Sequence, residues 1–134
     1  MHASGRWHEK GHPIVYAAAS ASTALLEILV HLEVDAEDIP QDFKLIRIWI
    51  SDEVAAAAER LSPDSPVLAN EEKSRRFGTA WLTEKRSAVL LVPSVIIPVE
   101  TNILINPGHP DAAGVSMISA TEFVFDARLF SRLP

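Results

Sequence analysis

The sequence predicts a single α+β domain, and three observations point to it. The chain has 134 residues, a length that suits one hydrophobic core rather than two. Its hydrophobic periodicity switches several times between the helical and the strand pattern, with no internal repeat. Apolar residues make up 48% and charged residues 22%, a balance that can form a packed interior and does not read as disordered.

Taken in order, residues 14–17 (Ile-Val-Tyr-Ala) are β-prone, and Ser20 or Ser22 can cap a helix running to about Leu32. Ala21, Ala24, Leu25, Ile28, Leu29 and Leu32 form one apolar face of that helix, while Leu26 and Val30 occupy much of the other, so the helix is expected to be buried. Residues 45–50 form a strand with Ile46, Ile48 and Ile50 on one face. Ser51 or Asp52 then caps a short Ala-rich helix that ends before Pro63. Residues 62–70 have turn chemistry and form a surface connection. A helix starts near Asn70, with Glu71 and Glu72 in its first turn and Phe77, Ala80, Trp81 and Glu84 on one side. Strands are expected at residues 88–92, 95–97, 103–105 and 123–125.

Composition restricts the function classes. There are 18 acidic and 12 basic residues, a net charge of −6, and no basic cluster apart from Lys73, Arg75 and Arg76. Direct nucleic-acid binding is therefore not expected. The absence of cysteine removes disulfides and thiolate metal sites and suits a reducing, cytoplasmic setting. The N-terminus, MHASGRWHEKGHP, has no apolar segment of the secretory kind. The most apolar stretch, residues 88–99, is broken by Pro93 and Pro98 and falls short of the ~20 residues a bilayer-spanning helix needs.

One residue raises the question of catalysis. Between Ile14 and Val30 the only carboxylate is Glu27, set among Ala, Leu, Ile, Val and small hydroxyl residues. A carboxylate on a buried helix needs a partner or a task, whereas one on a thin exposed edge needs neither. Helix geometry alone leaves both readings open.

Several short motifs then occur in a fixed order. Gly5-Arg6-Trp7, Gly11, Pro13, Val15-Tyr16, Ala24 and Glu27 open the chain. Gly78 and Trp81-Leu82 follow, then Val92-Pro93-Ser94, Pro98, Glu100, Asn102, Leu104, Asn106-Pro107 and His109-Pro110-Asp111, with Phe125-Asp126 and Arg128-Leu129 last. The ordered set resembles the RES-domain family of bacterial toxins and covers the chain from about Gly5 to Leu129. The resemblance implies a fold similar to ADP-ribosyltransferases, NAD+ as substrate, no metal, and a partner antitoxin with a helix-turn-helix domain; a homodimer is compatible with it. The family's Arg, Glu and Ser carry over as Arg6, Glu27 and Ser94, with Tyr16 as a fourth pocket residue.

These residue types fit cleavage of the nicotinamide–ribose bond. Positive charge builds at the sugar carbon while the leaving pyridinium is already cationic, so a fixed carboxylate facing the oxocarbenium helps most, and Glu27 is the candidate. Arg6 would hold the pyrophosphate and Tyr16 would stack on the nicotinamide cation. Ser94, at a break between strands, would orient the ribose or the carboxamide. Asn102 is a further ligand-binding candidate, although an Asn near a turn is more often structural. Taken without the resemblance, Arg6 reads as a surface charge, Tyr16 as a half-buried strand aromatic and Ser94 as a turn former.

His8-Glu9-Lys10-Gly11-His12 spells H-E-x-x-H, the zinc-protease pattern when carried on a helix. Gly11 and Pro13 argue against that helix. His8 stands where the family usually has Asn. The domain is expected to span residues 1–134 and to lack the family's usual N-terminal strand, which carries its own Arg. A non-enzymatic alternative is an inactive RES-like protein that binds an antitoxin or dimerises.

Overall fold

A computed structural model of the chain describes residues 5–31 and 42–130. Strand β1 (Val15–Ala18) leads into helix α1 (Ala21–His31). Ser20 starts the helix: its hydroxyl oxygen accepts from the Thr23 amide at 3.2 Å, and its carbonyl accepts from the Ala24 amide at 3.1 Å. The expected end of this helix near Leu32 lies outside the described residues. Strand β2 (Lys44–Ile50) is followed by helix α2 (Asp52–Ala56), capped by Ser51, and by the two-residue strand β3 (Glu59–Arg60). A 3-10 turn (Pro66–Ala69) precedes helix α3 (Glu71–Glu84), which Asn70 caps by accepting from the Lys73 amide at 2.8 Å. Lys85 closes α3 in the left-handed region, with φ 51°. Strands β4 (Val89–Pro93), β5 (Thr101–Ile105) and β6 (Val115–Glu122) complete the chain's regular structure, with 3-10 turns at Pro110–Gly114 and Ala127–Phe130.

Four strands form one sheet in the order β1-β5-β4-β3, antiparallel except for the β3–β4 pair, and β2 pairs with β6 as a separate antiparallel ribbon. The α+β class expected from the sequence is the class observed. Registers decide what each face of the larger sheet carries, because residues directly opposite in an antiparallel pair share a face. Tyr16 and Leu90 both lie opposite Leu104, and Ala18 and Val92 both lie opposite Asn102. These six residues occupy one face. There Leu90, Val92 and Leu104 pack with Trp7, Ile14 and, from α3, Trp81 and Leu82. On the reverse face Val89 and Ile105 pack with Val54 of α2, Ala88 and the β2–β6 ribbon residues Ile48, Ile50 and Val115. Each fully buried Leu in these clusters contributes ~2 kcal/mol.

Several expectations need correction. Residues 95–97 are a bend, not a strand, because the Ser94 hydroxyl oxygen accepts from the amides of Ile96 (3.2 Å) and Ile97 (3.1 Å) and turns the chain. Residues 123–125 are not a strand either; pairing with β2 ends at Glu122, and Phe123 and Phe125 instead meet edge to face at 5.1 Å. Ile46, Ile48 and Ile50 keep their period-two spacing along β2, the register shift leaving Ile118 of β6 unmatched, but only Ile48 and Ile50 pack inward and Ile46 is exposed. Glu84 is exposed and pairs with Arg86 at 3.2 Å. Helix α1 is half-buried along most of its length, and Val30 is exposed, because the helix meets the sheet along one line of contacts only.

Candidate active site

That line of contacts carries Glu27. Thr23 and Glu27 are one turn apart on α1, so they project on the same side of the helix. Thr23 donates its hydroxyl to Glu100 Oε1 at 3.3 Å. Glu27 Oε1 accepts two hydrogen bonds, one from the Ser94 hydroxyl and one from Asn102 Nδ2, both at 2.8 Å. Its other oxygen, Oε2, has no hydrogen-bond donor among the described residues. The carboxylate is thus held by one oxygen and open at the other, and the reading of Glu27 as an unpartnered edge residue does not hold.

Ser94 is the pivot of the arrangement and is 1% exposed. Its hydroxyl donates to Glu27, and its amide donates to the Glu100 carbonyl at 2.9 Å, which closes the turn between β4 and β5. Asn102 belongs to strand β5, not to a turn, so its side chain is aimed by the sheet register into the row beyond Leu104. Its neighbour in that row on β1 is Ala18, whose small side chain leaves space beside the amide. Asn102 Oδ1 is buried and has no hydrogen-bond partner among the described residues.

Tyr16 stands on the same face, diagonal to Asn102 across the β1–β5 pair. Tyr16 is 43% exposed as a residue, while its hydroxyl is tied back: the Trp7 amide donates to it at 3.2 Å and His8 Nδ1 lies 2.7 Å away. Burial pushes the phenol above its ordinary value of 10.0, and Glu71 acts in the same direction, against the lowering effects of the Trp7 amide and Arg75.

Arg6 is carried by the segment that delivers Trp7 and His8. The segment is fastened to α3: the Ser74 hydroxyl donates to the Arg6 carbonyl at 2.8 Å and Arg75 Nε to the Gly5 carbonyl at 2.9 Å. Gly78 allows the contact, since a Cβ there would run into the Trp7 carbonyl. Arg6 Nε is buried without a hydrogen-bond partner among the described residues. A buried guanidinium nitrogen in this state is a ready donor for an anion.

Of the five sequence-predicted residues, Glu27, Ser94 and Asn102 are joined by direct hydrogen bonds, and Tyr16 shares the sheet face of Asn102; Arg6 precedes Trp7, whose amide meets the Tyr16 hydroxyl. No hydrogen bond links Arg6 to Glu27. The sequence reading missed the fastening role of Ser74, for which small residues at Ser74 and Gly78, one turn apart, were the available signal. It also missed the contact of His8 with Tyr16. The H-E-x-x-H segment is not helical: Gly5 and His8 form a β-bridge, and Gly11 has φ 96°. Asn106, part of the C-terminal run, is a structural fastener that donates to the Leu82 carbonyl at 3.1 Å and accepts from the Gly108 amide at 3.0 Å. An apolar hollow lies between another face of α1 (Ala24, Leu25, Ile28) and Phe43, Phe123 and Phe125, and it contains none of the five residues.

The sequence profile of the RES domain matches residues 1–126. The chain belongs to the RES domain family. A protein of Sphingobium sp. (strain YBL2) named Prs ADP-ribosylating toxin is 44% identical over 96% of this chain and 81% of its own length. A Toxin Res of Pseudomonas putida is also 44% identical, over 97% of this chain and 88% of its own. A Toxin Res of Yersinia enterocolitica is 37% identical over 93% and 83%. The RES fold is related to that of the ADP-ribosyltransferases, in agreement with the small mixed domain seen here. Among the described residues no helix is long and apolar enough to cross a membrane.

Proposed function

We propose that this RES protein is a toxin that cleaves NAD+ at the nicotinamide–ribose bond in the cytoplasm, passing the ADP-ribose group to water, phosphate or a protein side chain. The observation that carries the reading is the Glu27 carboxylate, pinned through Oε1 by Ser94 and Asn102 and open at Oε2. A carboxylate fixed before the reaction needs no reorganisation when the ribose becomes an oxocarbenium ion, and electrostatic stabilisation of that kind is the largest contribution such a site can make. The bond to nicotinamide breaks with its electron pair moving to the ring nitrogen, so the leaving group departs neutral without an acid.

Arg6 supports the same reading, because its buried Nε needs an acceptor and the pyrophosphate offers several. The half-exposed ring of Tyr16 offers a face to the nicotinamide cation. Asn102 Oδ1 would accept from a ribose hydroxyl or the carboxamide nitrogen. The name of the Sphingobium relative, Prs ADP-ribosylating toxin, speaks for transfer of the ADP-ribose group to another molecule.

The second reading is a protein that acts by association, with a helix-turn-helix antitoxin or a second copy as its partner. It is favoured by the exposed apolar residues of the β2–β6 ribbon, Ile46, Trp49, Met117 and Ile118, which are more than half exposed. The test is to incubate the purified protein with NAD+, with and without phosphate, and follow free nicotinamide by chromatography beside Glu27→Gln. Release that the substitution abolishes supports cleavage; no release in any condition supports association alone.

A further inference from the structure

We propose that His8 is a positioning residue for Tyr16: neutral His8 takes the hydrogen bond of the phenol and turns the ring into a better seat for a cationic ligand, and protonated His8 reverses this. The inference rests on the reading of Tyr16 as the ring that receives the nicotinamide cation.

The direction of the hydroxyl proton follows the state of His8 Nδ1. The Tyr16 oxygen already accepts from the Trp7 amide, and His8 Nδ1 lies 2.7 Å from it. With Nδ1 unprotonated, the phenol donates to it, which draws electron density toward the oxygen and enriches the ring face. With both ring nitrogens protonated, the imidazolium becomes the donor, the phenol proton turns away, and a positive charge stands at the hydroxyl end of the ring. The two rings are 5.5 Å apart, and His8 is 1% exposed, so this charge is poorly screened by water.

Space has been kept for the pair. A Cβ on Gly5 would come within 2.8 Å of both His8 Cε1 and the Tyr16 hydroxyl oxygen. From α3, Arg75 and Glu71 act on the Tyr16 phenol in opposite senses. Strand β5 places only Leu104 opposite Tyr16.

Two measurements test the proposal. Nitrogen-15 spectra of the histidine rings, with His8→Asn to assign the His8 signals, report which nitrogen carries the proton irrespective of any activity. Neutral His8 protonated on Nε2, with Nδ1 bare, is the expected form, and Tyr16→Phe should disturb it. Neutral His8 protonated on Nδ1 would overturn the proposal. In steady-state turnover of NAD+, KM should rise roughly three- to tenfold, the worth of one hydrogen bond, as pH is lowered across the range in which imidazoles in general change charge, with kcat nearly constant over that step. His8→Asn should remove the KM step, and its persistence in that variant would overturn the idea. If the protein releases no nicotinamide at any pH, the proposed reaction fails, while the ring spectra still decide the His8–Tyr16 geometry.

Discussion

Ser94 donates its hydroxyl proton to Glu27 across 67 positions of sequence, at 2.8 Å, while the same oxygen accepts from the two amides that turn the chain after β4. The local turn and the Glu27 carboxylate thus meet at one atom. Ser94→Ala should lower kcat roughly ten- to a hundredfold, the loss expected for a hydrogen bond to a charged group. It should also lower stability, since two amides lose their acceptor. Steady-state kinetics and thermal melts of the same preparation would separate the two effects.

Asn102→Asp replaces a donor to Glu27 with a second negative charge. Like charges at hydrogen-bond distance favour the protonated acid. The acid limb of the kcat profile should move to higher pH by about one unit or more, and an unshifted limb would mean that Glu27 is not the ionised group that catalysis requires.

Gly78→Ala introduces a methyl group into the backbone carbonyl of Trp7, which cannot swing aside as a side chain can. A loss of about 3 kcal/mol or more is expected, with a fall in Tm on the order of 10 °C. Gly108→Ala is the control: its Cβ would sit 3.4 Å from the Asn106 side chain, and the change should stay within about 0.5 kcal/mol.

Tyr16 is the only tyrosine, so phenolate absorbance reads this group alone. Its folded-state value lies above 10.0, which means that the native chain holds the phenol proton more tightly than the unfolded chain. The associated stability is complete below pH 10.0 and is lost as pH rises through the folded value. In Tyr16→Phe this part of the alkaline slope should vanish, as followed by denaturant unfolding at a series of pH values.

The elements legible in the sequence are those with local causes. Ser20, Ser51 and Asn70 announce helices because a cap is a contact with the next few residues. The five candidate residues were picked out through their order along the chain, and the structure supplied what order cannot: that Asn102 and Ser94 both end on one oxygen of Glu27. What stayed hidden depends on distant chain segments. Strand β3 is two residues long and exists because it pairs with Leu90 and Leu91. His8 has no local reason to be buried, and its place follows from the lap of residues 5–8 over α3. Residues 95–97 look like a strand by composition, but the hydroxyl of Ser94 claims their amides.

Strand β5 alternates between two audiences. Asn102 and Leu104 look toward the chemistry, whereas Ile103 and Ile105 look toward the ribbon on the reverse side. A slip of one place in its pairing would push an amide into oil and an isoleucine against the carboxylate in a single stroke. Misregistered copies are thus disarmed as well as misfolded, and a half-formed molecule of this kind carries no working blade.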